Sequence, residues 1–92
     1  MRYERKPAFD RAFRRLPRER QARTKQAIQG LITFFETRQQ PPGLGLKRLQ
    51  GDFWEIRAGL GDRVMFRLTG TLVEFVIAGN HDEIRKFLRN AS

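Results

Sequence analysis

The sequence predicts a small α+β domain in which two N-terminal helices pack on one face of a small antiparallel β-sheet and a short C-terminal helix closes the chain. Three observations carry this reading. Apolar residues in the first 40 positions recur at helical spacing, residues 53–78 alternate with a period of two, and a segment rich in proline and glycine separates the halves. At 92 residues the chain has room for one core, so 1–92 reads as a single domain.

From Pro7 onward, Phe9, Ala12, Phe13 and Leu16 fall at i, i+3, i+4 and i+7, with Asp10, Arg11, Arg14 and Arg15 on the other side. Pro17 ends this helix and opens a second, whose apolar stripe is Ala27, Ile28, Leu31, Ile32 and Phe35. The two are expected to pack as a hairpin. Ahead of them, residues 2–6 form a short polar stretch read as a strand. Residues 39–45 form a loop from helices to sheet, because two prolines and two glycines remove backbone donors and add backbone entropy. Residues 53–58, 63–68 and 72–78 then alternate, separated by Gly59-Leu60-Gly61 and Thr69-Gly70-Thr71, which is the pattern of an antiparallel meander. Residues 82–89 form the closing helix, with Ile84, Phe87 and Leu88 apolar.

A one-residue slip would turn a strand's apolar set outward, which constrains the register. Trp54, Ile56 and Ala58, then Val64, Phe66 and Leu68, then Val73, Phe75 and Ile77 are therefore expected to face the helices. Pairing Ile56 with Val64 makes Gly59 to Gly61 a three-residue turn and sets Arg57 directly opposite Arg63. Pairing Phe66 with Val73 and Val64 with Phe75 sets Val76 beside Arg63. The open face then carries Glu55, Met65 and Glu74 in one row and Arg57, Arg63 and Val76 in the next. Like charges directly opposite on a sheet cost up to about 1 kcal/mol unless something neutralises them. A phosphate would do so; equally, long Arg side chains can splay into water or pair with Glu55 and Glu74.

The charge points to an anionic partner. Lys and Arg number 19 against 10 Asp and Glu, a net +9, and 15 of the 19 cations are Arg. Apolar residues at 39% with eight Phe are enough for a packed core, so the basic character belongs to a folded surface. The absence of Cys excludes a disulfide scaffold, a thiolate zinc site and a cysteine nucleophile, and a single His excludes a multi-histidine metal centre. No apolar run approaches the roughly 20 residues that span a bilayer, and Met1-Arg2-Tyr3-Glu4 lacks the apolar core of a secretion signal, so no membrane association and a cytoplasmic location are expected. Arg11, Arg14, Arg15, Arg18, Arg20 and Arg23 have no interleaved aromatics, which fits a solvated or RNA-backbone face better than a reader of sequence.

His81 falls just past the end of the last strand, close to the Arg pair. A lone His at a helix start is often structural, yet imidazole is the side chain suited to proton transfer in the neutral range. Glu55 on the same face is its obvious carboxylate companion, with Glu74 as the alternative.

The order of Phe13-Arg14-Arg15-Leu16-Pro17, a second helix, Gly45-Leu46-Lys47-Arg48-Leu49-Gln50-Gly51, Trp54-Glu55-Ile56-Arg57, Asp62-Arg63-Val64-Met65-Phe66 and Ala78-Gly79-Asn80-His81-Asp82-Glu83-Ile84 resembles the RelE/ParE superfamily of bacterial type II toxin-antitoxin toxins along nearly the whole chain. The resemblance implies two helices on an antiparallel sheet with the active face on the other side. For the RelE-like branch it implies a ribosome-dependent endoribonuclease, an mRNA interferase that enters the vacant A site and cuts the bound codon, together with a cognate antitoxin whose acidic, amphipathic segment wraps the toxin.

On that resemblance Arg63 is expected to bind the scissile phosphate, Arg57 to be its basic neighbour, and His81 to take the place of a catalytic Arg or His. Lys47, Arg48 and Arg85 are the expected RNA contacts, and Phe87 can stack on a base but cannot exchange a proton as tyrosine could. Glu55 stands where RelE has a lysine, which brings the set closer to the acid-base branches of the superfamily. Cleavage by the RNA's own 2′-OH needs a base, an acid and cations, with no metal or cofactor. Glu55 and His81 fill the first two roles in either order, and Arg57 with Arg63 form the clamp. The rival readings are a ParE-like inhibitor of DNA gyrase, which needs no acid-base pair, and a noncatalytic RNA- or ribosome-binding module, which needs only the charge. Leu60, Met65 and Val76 are expected to offer apolar surface to the antitoxin.

Overall fold

The computed structural model describes residues 1–91. In chain order the elements are β1 (Arg2–Arg5), α1 (Pro7–Arg15), α2 (Arg18–Thr37), β2 (Lys47–Gln50), β3 (Phe53–Arg57), β4 (Asp62–Thr69), β5 (Leu72–Asn80) and α3 (His81–Ala91). The strands form one five-stranded sheet in the order β1-β5-β4-β3-β2.

Helix α1 begins with Pro7 in its first turn, where a missing N–H costs no hydrogen bond. Extended Leu16 and Pro17 then turn the chain into α2. The two helices touch where the Gln21 amide donates to the Phe13 carbonyl at 3.0 Å. Phe9, Ala27 and Leu31 are buried with Ile56, Ala58, Val64, Phe66, Val73, Phe75 and Ala78, so this cluster lies between the helices and one face of the sheet. The other face is not open along its length. Ile84 of α3 is buried against Met65 and Val76, with Leu49, Phe53, Ile77, Phe87 and Leu88 around them.

Four sequence expectations need correction. The sheet is mixed, because β1 runs parallel to β5, with Tyr3 opposite Val73 and its ring stacked on Phe75 at 6.4 Å. Residues 47–50 form a strand on the far edge, β2, which sequence alone passes over because it carries a single apolar residue. The β4–β5 register differs from expectation: Phe66 faces Phe75, Met65 faces Ile77, and Val64 faces Ala78, with a β-bulge that leaves Val76 unpaired. The run Phe75-Val76-Ile77 cannot alternate, and the bulge sends both Val76 and Ile77 to the α3 side before Ala78 returns to the α1/α2 side. Arg63 therefore lies opposite Gly79 rather than Val76, and Glu74 shares a row with Arg67 rather than with Glu55. Finally, α3 covers Met65 and Val76, so of the three apolar residues expected to meet a partner only Leu60 is exposed.

The β3–β4 register is as the alternation predicts: Trp54 pairs with Phe66, Ile56 with Val64 and Arg57 with Arg63. Gly59 at φ +89 and the Ala58 N–H donating to the Asp62 carbonyl at 2.9 Å close the three-residue turn.

Candidate functional site

Between β2, β3 and α3 lies a groove of about 660 Å³. Lys47, Arg48, Glu55, His81, Arg85 and Arg89 border it, over an apolar floor that includes Leu49, Ile84 and Leu88. Its two walls have different origins. The strand wall follows from pairing, since Lys47 lies opposite Glu55 on the edge hairpin. The helix wall follows from the cap of α3: the Asn80 Oδ1 accepts the Glu83 N–H at 2.9 Å and the Glu83 Oε1 accepts the Asn80 N–H at 2.9 Å. This reciprocal capping box fixes where the helix starts and so where His81 stands. His81, Arg85 and Arg89 then follow at four-residue steps along one side of the helix.

Glu55 is the buried charged group among those that border the groove, 7% exposed. Its Oε2 lies 3.4 Å from the Arg63 Nε, a diagonal cross-strand ion pair. Arg63 is fixed a second time where its Nη1 donates to the Asp62 carbonyl at 2.9 Å. Arg57, although directly opposite Arg63, goes elsewhere. Its stem crosses Gly45, where an added Cβ would come within 2.7 Å of the Arg57 Cγ and Cδ, and the backbone φ of +60° favours glycine in any case. The two like charges are thus separated, one toward Glu55 and the other over Gly45.

The structure brings Glu55, His81, Lys47, Arg48 and Arg85 to one groove and joins Arg63 to it through Glu55. It does not bring Arg57 or Phe87 there. Arg57 borders a hollow with Arg23 and Pro41, and Phe87 borders one on the α1 side of α3, with Arg11, Arg15 and Arg20. Arg48 is partly engaged already, its guanidinium 5.9 Å from the Trp54 ring centre and its Nε donating to the Gly51 carbonyl at 3.0 Å. The alternative carboxylate, Glu74, pairs with Lys6 at 3.1 Å and does not border the groove.

Two groups escaped sequence reasoning. Arg89 borders the groove two helical turns beyond His81, a position the spacing from His81 could have signalled. Arg20, grouped by sequence with the solvated arginines, instead makes a bidentate pair with Asp62, Nε to Oδ2 at 2.8 Å and Nη2 to Oδ1 at 2.7 Å. The hydrogen bonds from Arg20 hold the Asp62 carboxyl below its ordinary range, outweighing the opposing effect of burial. The same bonds push the Arg20 guanidinium up.

In chemical terms the groove offers a carboxylate, an imidazole and several guanidinium and ammonium groups along one open channel. Such a channel can take a polyanionic strand and supply both a proton acceptor and a proton donor. Among the described residues, no group of three or more His, Asp or Glu side chains could hold a metal ion, and no helix is long and apolar enough to cross a membrane.

The chain has the fold of the RelE/ParE superfamily of toxins. Among solved structures it is similar to RelE in the RelB-RelE antitoxin-toxin complex from Methanococcus jannaschii, with a TM-score of 0.67 and 16% identity over 95% of this chain and 98% of that one. It is similar to YafQ from E. coli strain BL21(DE3), with a TM-score of 0.64 and 16% identity over 91% and 98% of the two chains. A YoeB/ParE toxin from Agrobacterium tumefaciens matches with a TM-score of 0.64 and 20% identity over 88% and 99%. No family sequence model matches the chain and no curated protein sequence does, so the likeness is one of fold.

Proposed function

We propose that the chain is the toxin of a type II toxin-antitoxin pair and acts as a ribosome-dependent endoribonuclease that cuts mRNA. The observation that carries this reading is the groove in which Glu55 and His81 stand together among cations. In the proposed reaction the RNA's own 2′-OH gives its proton to the Glu55 carboxylate and attacks the adjacent phosphorus. His81 donates a proton to the departing 5′-oxygen as that P–O bond breaks. The products are a 2′,3′-cyclic phosphate and a 5′-OH end, so atoms and charge balance with no metal or cofactor.

Arg63 has two tasks in this scheme. At rest it pairs with Glu55; as negative charge builds on the phosphorane, its guanidinium stabilises the phosphate oxygens. Arg57 joins it by swinging off Gly45. Lys47, Arg48 and Arg85 hold flanking phosphates, while Phe87 would meet RNA only along the α1 side of α3. An antitoxin partner is supported by the RelB-RelE and DinJ-YafQ complexes among the structures of the same fold.

The test is 5′-end mapping of a defined mRNA in a reconstituted translation mixture, with and without ribosomes. Cuts confined to the A-site codon and dependent on ribosomes are the expected result. Intact mRNA together with inhibited gyrase supercoiling would replace this reading by a ParE-like one, and salt-sensitive ribosome binding without cleavage would replace it by a binding module.

A further inference from the structure

We infer that Arg20 of α2 is a positioning residue for Arg63, acting through Asp62. Three contacts in series carry the inference. Arg20 grips both oxygens of the Asp62 carboxylate, at 2.8 and 2.7 Å. The Asp62 carbonyl accepts the Arg63 Nη1 at 2.9 Å and also the Ala58 N–H at 2.9 Å, so this one residue is held by its carbonyl at the turn and by its side chain from α2. The Arg63 Nε then meets Glu55 at 3.4 Å.

The geometry has a reason to matter. Asp62 is the first residue of β4, a strand end that would otherwise fray beside the turn whose tip, Leu60, is fully exposed. Arg20 is 42 positions away in sequence and sits on a 20-residue helix, so it ties that strand end to a rigid element. A guanidinium fork fixes a carboxylate in the plane of two parallel bonds, which a lysine ammonium cannot do. Arg23, the other cation of α2 near this turn, has its stem across Gly59 instead. Loosening Asp62 should therefore let its carbonyl drift and release Arg63 from one of its two anchors.

The role of Arg63 in cleavage rests on the ribonuclease reading; its ordering by Arg20 does not, and the experiment separates the two. Arg20→Lys and Asp62→Asn each keep the site's size while breaking the fork, and melting curves identify any variant that fails to fold. The first measurement is the order of the Arg63 Nε–Hε bond by 15N relaxation in the free protein. Arg63 should be rigid in the parent and mobile in both variants. The second is the single-turnover cleavage rate on programmed ribosomes, expected to fall about tenfold to a hundredfold with ribosome affinity unchanged, as for a misplaced catalytic group. An Arg63 that stays ordered in folded Arg20→Lys overturns the inference whatever the rate does. A parent that orders Arg63 but cuts no RNA overturns the ribonuclease reading and leaves the positioning role to be decided by the relaxation data.

Discussion

Glu55 on β3 and Arg63 on β4 form a diagonal ion pair across the sheet, Oε2 to Nε 3.4 Å, with both side chains largely withdrawn from water. Removing either side chain takes from the other an ion-pair partner that is largely withdrawn from water. The pair gives the proposed chemistry its first test. Arg63→Ala should slow cleavage about a hundredfold to a thousandfold, the range for losing one preorganised donor to a developing oxyanion. Single-turnover cutting of ribosome-bound mRNA reads this directly, and a change of only a few-fold would remove Arg63 from the phosphate.

His81 is exposed at the first position of α3, and its place is set by the cap formed by Asn80 and Glu83 rather than by its own side chain. His81→Gln should therefore leave the melting temperature nearly unchanged while slowing cleavage about a hundredfold to ten-thousandfold. Its proposed task, protonating the leaving oxygen, is separable from other roles. A substrate with sulfur in place of the 5′-oxygen leaves without an acid, so it should be cut by His81→Gln almost as fast as by the parent. If the sulfur substrate restores Glu55→Gln instead, the two roles are exchanged.

The Arg20–Asp62 pair predicts the acid limb of stability. Because the folded Asp62 carboxyl is held below its ordinary range, chiefly by hydrogen bonds from Arg20, the pair's contribution is full above the unfolded value of about 3.9 and is lost as pH falls through the lower folded value. Urea midpoints should thus drop between about pH 5 and pH 2 more steeply for the parent than for Asp62→Asn. At neutral pH, Arg20→Met should cost about 2 kcal/mol, less than the 3–5 of a fully buried pair because part of the Arg20 side chain stays in water.

Groove cations should act on RNA affinity through counterion release. Removing Lys47, Arg48 or Arg85 singly should weaken binding of a single-stranded RNA and lower the slope of log affinity against log salt by about 0.7 each if each meets one phosphate. Filter binding across a salt series measures it. A slope unchanged in all three variants would place the RNA outside the groove of Lys47, Glu55 and His81.

Much of this site was legible in the sequence, and the reasons differ by element. The β3–β4 register followed from strict alternation on both strands and a glycine-bounded turn, and with it the Arg57–Arg63 juxtaposition. The β4–β5 register did not, because three consecutive apolar residues, Phe75 to Ile77, fit either face and only packing against α3 selects the bulge at Val76. Strand β1 is paired with a partner some 70 positions away, Arg2 with Leu72, and its parallel sense is fixed by the path through α1 and α2, which no local pattern records.

By itself the sequence determined an α+β chain with a net charge of +9, a glycine-punctuated meander and an Arg pair facing each other across it. Those features depend on residues close in sequence, where periodicity and turn chemistry act before any tertiary contact forms. Tertiary structure alone decided which charge meets which: Arg63 with Glu55, Arg20 with Asp62 and Lys6 with Glu74. With 15 arginines nearly any acidic group could have found a cation, and the choice falls to whichever guanidinium the docking of α2 and α3 brings within hydrogen-bond reach.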